Sequence, residues 1–163
     1  MYVFDTSTLI HMFRFYYKDR FPSLWENFDE YISSGAIISV REAFNEITSA
    51  AEKEDLIAWA NLHKTDVFLT PSEEEMKYVS EIFTNKHYQQ LISNNAILNG
   101  KSQADPFIIA AAKIKSACIV TLDGFTPSGE IKENAPKIAF ISKCLNVDCC
   151  NFEQFMARED WKF

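Results

Sequence analysis

The sequence predicts an α/β fold, a three-layer α/β/α sandwich with a central parallel sheet of four to five strands. Short apolar runs with β character alternate with longer helix-like segments, which is typical of a parallel sheet covered by helices on both faces. The hydrophobic fraction is 47% and the chain has 14 phenylalanines, so material for a buried core is plentiful. Only four glycines occur among 163 residues, which argues against a turn-rich all-β fold. A chain of this length is most simply one domain, residues 1–163.

In the first half of the chain, the sequence predicts two strands and three helices. Residues typical of helix ends indicate where one of these helices begins and stops. We expect a capping box at Ser23 and Glu26 to start the second helix, and Gly35 to end it. The predicted elements are, in order, a strand over Tyr2–Phe4, a helix from about Ser7 to Tyr17, a helix from Ser23 to near Gly35, a strand over AIISV (36–40) and a helix that carries Glu46.

In the second half, helices again alternate with strand-like runs. A second capping box is predicted at Ser72 and Glu75, and turn-forming residues from Gly124 to Pro136 indicate a loop. The predicted elements are a helix through Leu56, Trp59 and Leu62, a strand over VFL (67–69), a helix after Ser72, a helix between Tyr88 and Leu98 that is ended by Gly100, a helix that starts at Asp105, a strand over CIVTL (118–122) and a last strand over KIAFI (137–141).

Four acidic residues stand where a parallel sheet would bring side chains together. Asp5 and Asp123 directly follow strand-like runs, and the carboxyl ends of strands are where open α/β sheets form their sites. Asp105 precedes Pro106 and an apolar helix, so we expect it to be the N-cap of that helix. Glu46 lies about two turns into the helix that follows the second strand, and it would face the same crevice.

Each of these acids also has an ordinary structural explanation. Asp5 and Asp105 could be helix caps. Asp123 with Gly124 could form a turn, and Glu46 could be a solvated surface residue. These explanations treat the acids singly and leave their shared position at the ends and edges of elements unexplained. Converging carboxylates repel one another unless a cation neutralises them. Oxygen ligands without nearby histidine or cysteine favour Mg²⁺ or Mn²⁺, so the sequence predicts a site for such an ion.

The composition limits the environment and the partners. The net charge is −7, which opposes binding to a polyanion unless a metal ion offsets it locally. Arg14 and Lys101 are the better candidates for phosphate contacts, although scattered surface cations are normally only solvating groups. There is no secretory leader pattern and no apolar run of about 18 residues, so we expect a cytoplasmic protein without a membrane segment. We expect the four cysteines to be reduced, mostly buried thiols, with a metal site at Cys144, Cys149 and Cys150 as an alternative.

The four blocks YVFDTS, SVREAFNEI, ADPFIIAAA and IVTLD, in this order, resemble a PIN domain. The resemblance spans nearly the whole chain and is closest to a prokaryotic subfamily often left as a domain of unknown function. It implies a Mg²⁺- or Mn²⁺-dependent ribonuclease that hydrolyses RNA phosphodiester bonds, similar to the VapC toxins of type II toxin-antitoxin pairs. The residues that match the acidic quartet, implied to be catalytic and to hold the metal, are Asp5, Glu46, Asp105 and Asp123.

The resemblance also implies supporting residues and partners. Ser7 matches the polar residue two places after the first acid, and Thr121 the small hydroxyl residue two places before the last. Glu42 stands one turn before Glu46 and could share or take its role. RNA is the implied substrate and an antitoxin with a basic, arginine-bearing segment the implied protein partner, while a homodimer stays open. The alternative is a catalytically silent PIN-like scaffold that binds a partner protein.

Overall fold

A computed structural model describes residues 1–50, 54–85, 88, 103–133 and 137–163 of the chain. Its five strands are β1 (Tyr2–Phe4), β2 (Ile37–Val40), β3 (Phe68–Leu69), β4 (Cys118–Val120) and β5 (Cys149–Cys150). They form one parallel sheet in the order β3-β2-β1-β4-β5, so the first strand of the chain lies in the middle. Helices flank this sheet, which confirms the predicted α/β class and three-layer arrangement.

Eight helices occur within the described residues. They are α1 (Thr6–Phe15), α2 (Pro22–Ser33), α3 (Arg41–Ala50), α4 (Glu54–Leu62), α5 (Glu73–Thr84), α6 (Asp105–Lys115), α7 (Ile138–Cys144) and α8 (Phe152–Arg158). Helix α6 packs against β1, β2 and β4, while α1 contacts α3 and α4. In the ranges that the structure covers, no helix is both long enough and apolar enough to cross a bilayer.

Strand β1 organises the sheet because it is paired along both of its edges. Tyr2 lies level with Ile37 on one side and with Cys118 on the other. A strand in this position is covered on both faces, and its last two residues are accordingly fully buried. The backbone N–H of Asp5 then donates to the carbonyl of Val120 over 2.9 Å. The residues that follow β1 and β4 therefore emerge side by side at the carboxyl edge of the sheet.

The core beside β1 is aromatic. The ring of Phe4 is fully buried, with centroid distances of 5.8 Å to Phe28 of α2 and 5.2 Å to Phe155 of α8. Tilted and edge-to-face ring pairs of this kind add to the free energy of burial. Tyr2 and Tyr31 both donate hydrogen bonds to Glu159, which joins the end of the chain to β1 and α2. The aromatic core thus holds the strand from which the first predicted acid emerges.

The prediction of a last strand over residues 137–141 is wrong. This segment forms most of helix α7, and the fifth strand is the later pair of cysteines beside β4. A short continuous apolar run does not distinguish a buried strand from a buried helix. Ile138 and Ile141 are both buried, and their spacing of three residues puts them on one face of α7.

The predicted helix ends have mixed outcomes. At α5 the capping box is confirmed, because Ser72 Oγ accepts from the N–H of Glu75, whose carboxylate accepts from the N–H of Ser72. The box predicted at Ser23 is wrong, since α2 already begins at Pro22 and has no side-chain cap. Proline suits the first turn of a helix, and it moves this start one residue earlier. As predicted, α2 ends near Gly35, which has a φ of +70°.

Two further predictions concern the helix expected before Asp105 and the state of the cysteines. The helix expected between Tyr88 and Leu98 lies outside the described residues, apart from Tyr88 itself. All four cysteines are free thiols, as predicted. Cys118 and Cys150 are buried, whereas Cys149 is half-buried and Cys144 is exposed, so burial holds for only part of the set.

Candidate active site

Asp5 lies just beyond the carboxyl end of β1 and is 4% exposed. It occupies the N-cap position of α1, but its side chain makes no capping hydrogen bond. Its Oδ2 instead accepts hydrogen bonds from Ser7 Oγ at 2.5 Å and from Thr121 Oγ1 at 2.7 Å. Burial raises the pKa of Asp5, these hydroxyl groups oppose that rise, and Asp123 adds to it. Two of the predicted supporting residues, Ser7 and Thr121, thus donate hydrogen bonds to the first acid.

Glu46 projects from the second turn of α3 and connects the starts of two other helices. Its Oε2 accepts from Thr6 Oγ1 at 2.6 Å, and its Oε1 accepts from the backbone N–H of Ala104 at 2.7 Å. Burial raises its pKa, the two hydrogen bonds act in the opposite direction, and the charge of Asp5 raises it further. Glu46 is therefore an inward-facing carboxylate near Asp5, and the explanation as a solvated surface residue does not apply.

Asp105 is the first residue of α6, so the prediction that it is the N-cap is wrong by one position. Ala104 takes the cap position because its carbonyl already accepts the first N–H groups of the helix, while its own N–H is held by Glu46. The carboxyl group of Asp105 makes no cap and lies among the other acids. Burial raises its pKa to about 8, helped by Asp5, Glu46 and Asp123.

Asp123 follows β4 in the turn predicted from its glycine neighbour. Its N–H donates to Thr121 Oγ1 at 3.0 Å, so one hydroxyl group connects the first and the fourth acid. Its Oδ2 lies 3.1 Å from Nζ of Lys137, the residue just before α7. Lys137 also lowers the pKa of Asp105, against the effect of the acids. This lysine is thus part of the site, although sequence analysis did not single it out.

The four predicted acids act electrostatically as one group. Each of Asp5, Glu46 and Asp123 raises the pKa of Asp105, which places these three acids within electrostatic range of Asp105 near the carboxyl edge of β1 and β4. As the side chains stand, no three or more His, Cys, Asp or Glu residues of the described ranges are arranged to hold a metal ion. That result covers the alternative cysteine site as well. The site is a mutually repelling acid cluster in which Asp5 is buried and the other three acids are partly buried.

The remaining predicted site residues are Glu42, Arg14 and Lys101. Glu42 is buried, and its Oε1 accepts from Arg41 Nη2 at 2.6 Å, which gives it a partner other than the acid cluster. Arg14 is exposed in the last turn of α1, about 13 Å along the helix axis from Asp5, and its guanidinium lies 6.0 Å from the ring of Phe15. Lys101 falls outside the described residues.

Two contributors were missed at the sequence level. Thr6 binds Glu46, and the signal for it was present, because it is the second residue of the DTS stretch that follows β1. Lys137 had no signal, since it follows a loop and was predicted to be the first residue of a strand. Its position depends on how the loop after β4 and the start of α7 meet, which no local pattern specifies.

Comparison with known proteins identifies a family. No curated protein sequence matches the chain. The sequence model of a family described as "Domain of unknown function (DUF4411)" matches residues 2–163. Because this match includes the strands, the helices and all four acids of the site, the chain belongs to the DUF4411 family.

Proposed function

We propose that this protein is a divalent-metal-dependent ribonuclease that hydrolyses RNA phosphodiester bonds with Mg²⁺ or Mn²⁺. The observation that carries the proposal is the acid cluster of Asp5, Glu46, Asp105 and Asp123 at the carboxyl edge of the parallel sheet. Ligand and catalytic sites of open α/β sheets form at this edge. The resemblance to PIN domains supplies the reaction class, which the geometry alone does not specify.

The chemistry of the cluster fits a hard divalent cation. Its donor atoms are carboxylate and hydroxyl oxygens, the ligands that suit Mg²⁺ and Mn²⁺. Buried carboxylates in mutual repulsion require either a proton or a cation. Lys137 offsets this repulsion only in part, because the pKa of Asp105 still rises to about 8. A divalent cation held by Asp5 and Asp105, with Asp123 and Glu46 bound directly or through water, would remove the conflict.

The chain's own residues would prepare this site in three ways. The hydroxyl groups of Ser7 and Thr121 fix the orientation of Asp5. The raised pKa of Asp105 favours its protonated form near neutral pH, and Asp105 would give up that proton in order to hold a cation. Glu46 holds the starts of α1 and α6 together, which fixes the distance between the two principal acids. When bound, the cation would lower the pKa of a water molecule and neutralise charge on the phosphoryl oxygens.

We further propose that the protein is the toxin of a type II toxin-antitoxin pair, as its resemblance to VapC toxins implies. An antitoxin would have to restrain the nuclease in its own cell. A segment that presents arginine suits this acid cluster, because guanidinium pairs with carboxylates through two parallel hydrogen bonds and can displace a metal ion. The four free thiols are consistent with a working place in the cytoplasm, where thiols stay reduced.

The test is a cleavage assay on labelled single-stranded RNA and tRNA with Mg²⁺, with Mn²⁺ and with a chelator. Asp5→Asn and Asp105→Asn remove one charge each with little change of volume, and we expect each to slow cleavage at least about 100-fold. Asp29→Asn is the matched control, because Asp29 is exposed on α2, and it should cut like the wild type. Folded, metal-loaded wild-type protein that cuts no RNA in a broad panel would contradict the proposal.

That negative result would favour the alternative function, a catalytically silent scaffold that binds a partner protein. One observation supports this alternative, since the acids of the described residues are not arranged as a ready set of metal ligands. The two functions differ in their metal dependence. A scaffold should bind its partner equally well with chelator and with Mg²⁺, whereas a nuclease should lose turnover when the cation is removed.

A further inference from the structure

Lys137 stands beside the acid cluster in an open position. Its Nζ lies 3.1 Å from Asp123 Oδ2, and the two side chains are 51% and 38% exposed. An ion pair that is this accessible to water contributes little to folding stability. A purely structural role therefore explains the lysine poorly. A long side chain in a weak, exposed pair is free to exchange its partner.

The backbone around Lys137 shows that its position is part of the fold. Gly124, in the turn after β4, has a φ of +97°, and a Cβ atom added there would lie 3.0 Å from Cβ of Lys137 and 3.1 Å from Cβ of Ala139. The turn that carries Asp123 therefore packs directly against the residue at the start of α7. This close approach, which only glycine permits without displacement, sets the base of the lysine side chain next to the fourth acid.

The charge of Lys137 affects a second acid besides its ion-pair partner. It acts on Asp105, the acid at the start of α6, as well as on Asp123. A substrate phosphate entering this crevice would meet the charged carboxylates of the acid cluster, which repel it. A single mobile ammonium group at the rim would supply attraction, because lysine binds phosphate as a point charge on a flexible stem.

We propose that Lys137 is a phosphate-binding residue of this site, which pairs with Asp123 in the free protein and moves to a phosphate oxygen of the bound RNA. The inference rests on the proposed ribonuclease function and adds a substrate contact to it. It assigns the attraction of substrate to a residue outside the acidic quartet. It also gives Asp123 a second task, since this acid holds the lysine near the crevice until the substrate arrives.

The test compares Lys137→Gln, Lys137→Arg and Lys143→Gln. Lys143 is the matched control, because it lies on α7 in a similarly exposed ion pair whose acid, Glu133, is not one of the four acids of the cluster. For Lys137→Gln we expect a fall in kcat/KM for RNA of about 10- to 100-fold, mainly through KM. Lys137→Arg should keep most of the wild-type kcat/KM, because arginine retains the positive charge. Lys143→Gln should behave like the wild type.

A binding measurement separates substrate contact from a merely structural effect. Each substitution is combined with Asp5→Asn, and affinity for a fluorescent single-stranded oligoribonucleotide is measured over a range of salt concentrations. Loss of one phosphate contact should reduce the slope of log affinity against log salt by about 0.7. An unchanged slope and an unchanged KM in Lys137→Gln would overturn this inference while leaving the ribonuclease intact. Wild-type protein that neither cuts nor binds RNA would overturn both.

Discussion

At the scale of single residues, the hydroxyl group of Thr121 occupies the most connected position in the site. It donates to Asp5 and accepts from the N–H of Asp123, and its side chain is fully buried. Thr121→Val keeps the shape and removes these two hydrogen bonds together with the 3.3 Å contact between Thr121 Oγ1 and Ser7 Oγ. Groups that orient metal-binding carboxylates typically change metal affinity or activity by about 10- to 100-fold when they are lost. We expect a loss of that size in both RNA cleavage and Mn²⁺ affinity.

The control for Thr121→Val is Thr8→Val. Thr8 is equally buried, and its Oγ1 donates to the carbonyl of Val120 at 3.0 Å rather than to an acid. Both substitutions remove a buried hydroxyl group, so both should lower the free energy of unfolding by about 1 to 3 kcal/mol. Only Thr121→Val should also weaken Mn²⁺ binding. Equal losses of Mn²⁺ affinity in the two variants would show that Thr121 acts through general stability.

Gly124 offers a second prediction at this scale, with Gly35 as its internal comparison. Both residues have positive φ, but a Cβ atom at Gly35 meets nothing within 4 Å, whereas one at Gly124 meets Lys137 and Ala139. Gly35→Ala should therefore lower the free energy of unfolding only by the strain of the left-handed conformation, about 1 kcal/mol. Gly124→Ala adds a steric conflict. We expect its free energy of unfolding, measured in urea, to be about 2 to 4 kcal/mol lower than that of the wild type.

The Gly124 prediction also concerns activity. Relief of the conflict would move the turn with Asp123 away from the start of α7, so Gly124→Ala should slow RNA cleavage even where the protein is fully folded. Gly35→Ala should leave cleavage unchanged, because Gly35 lies beyond α2 and before β2. Similar unfolding free energies for the two variants would contradict the packing argument.

At the scale of elements, the sequence predicted most of the strands because their residues are buried on both faces. β1, β2 and β4 appear as short apolar runs, the pattern of a strand covered on both faces, although a buried helix can give the same pattern. The run over residues 137–141 has the same composition but folds as α7. Its neighbours decide the outcome, since the place beside β4 is taken by β5, Cys149–Cys150, a strand too short to give a pattern.

Helix starts show a similar limit of local reasoning. The capping box at Ser72 forms as predicted, whereas the equivalent spacing at Ser23 is overridden by Pro22. Asp105 has the sequence context of an N-cap and lies one residue inside its helix. The reason is tertiary, because Glu46 of α3 binds the N–H of Ala104 and so fixes where α6 begins. A contact between elements far apart in the chain cannot be inferred from either segment alone.

At the scale of the whole molecule, the topology explains why four acids from distant segments could be predicted to meet. Parallel strands present their carboxyl ends at one edge, so Asp5 and Asp123 were expected together, and the hydrogen bonds through Thr121 join them. The placement of Lys137 depends on the packing of a loop against a helix, which is set by Gly124 rather than by any motif. The meeting of acids at strand ends could thus be predicted from the sequence, whereas the lysine beside them could not.

The clustering of acids also has a consequence for the stability of the metal-free protein. The pKa of Asp105 rises from an ordinary value of 3.8 to about 8 in the folded state, and those of Asp5 and Glu46 shift in the same direction. Between about pH 4 and pH 8 the folded protein therefore holds more protons on these groups than the unfolded chain does. Stability from this source is present at low pH and is lost as the pH rises through that window.

We expect the unfolding free energy of wild-type protein in chelator to fall between pH 5 and pH 8, by up to about 1.4 kcal/mol per pH unit for each proton released. Asp148 and Glu159 have lowered pKa values, so their contributions are constant in this range, while the lowered pKa of His11 acts in the opposite direction. Asp105→Asn keeps those groups and removes the titrating acid. Urea unfolding should show the variant to be more stable than wild type at pH 8, with a flatter pH dependence. Mg²⁺ should stabilise wild type more at pH 8 than at pH 5, and parallel pH profiles for the two proteins would contradict the electrostatic account of the cluster.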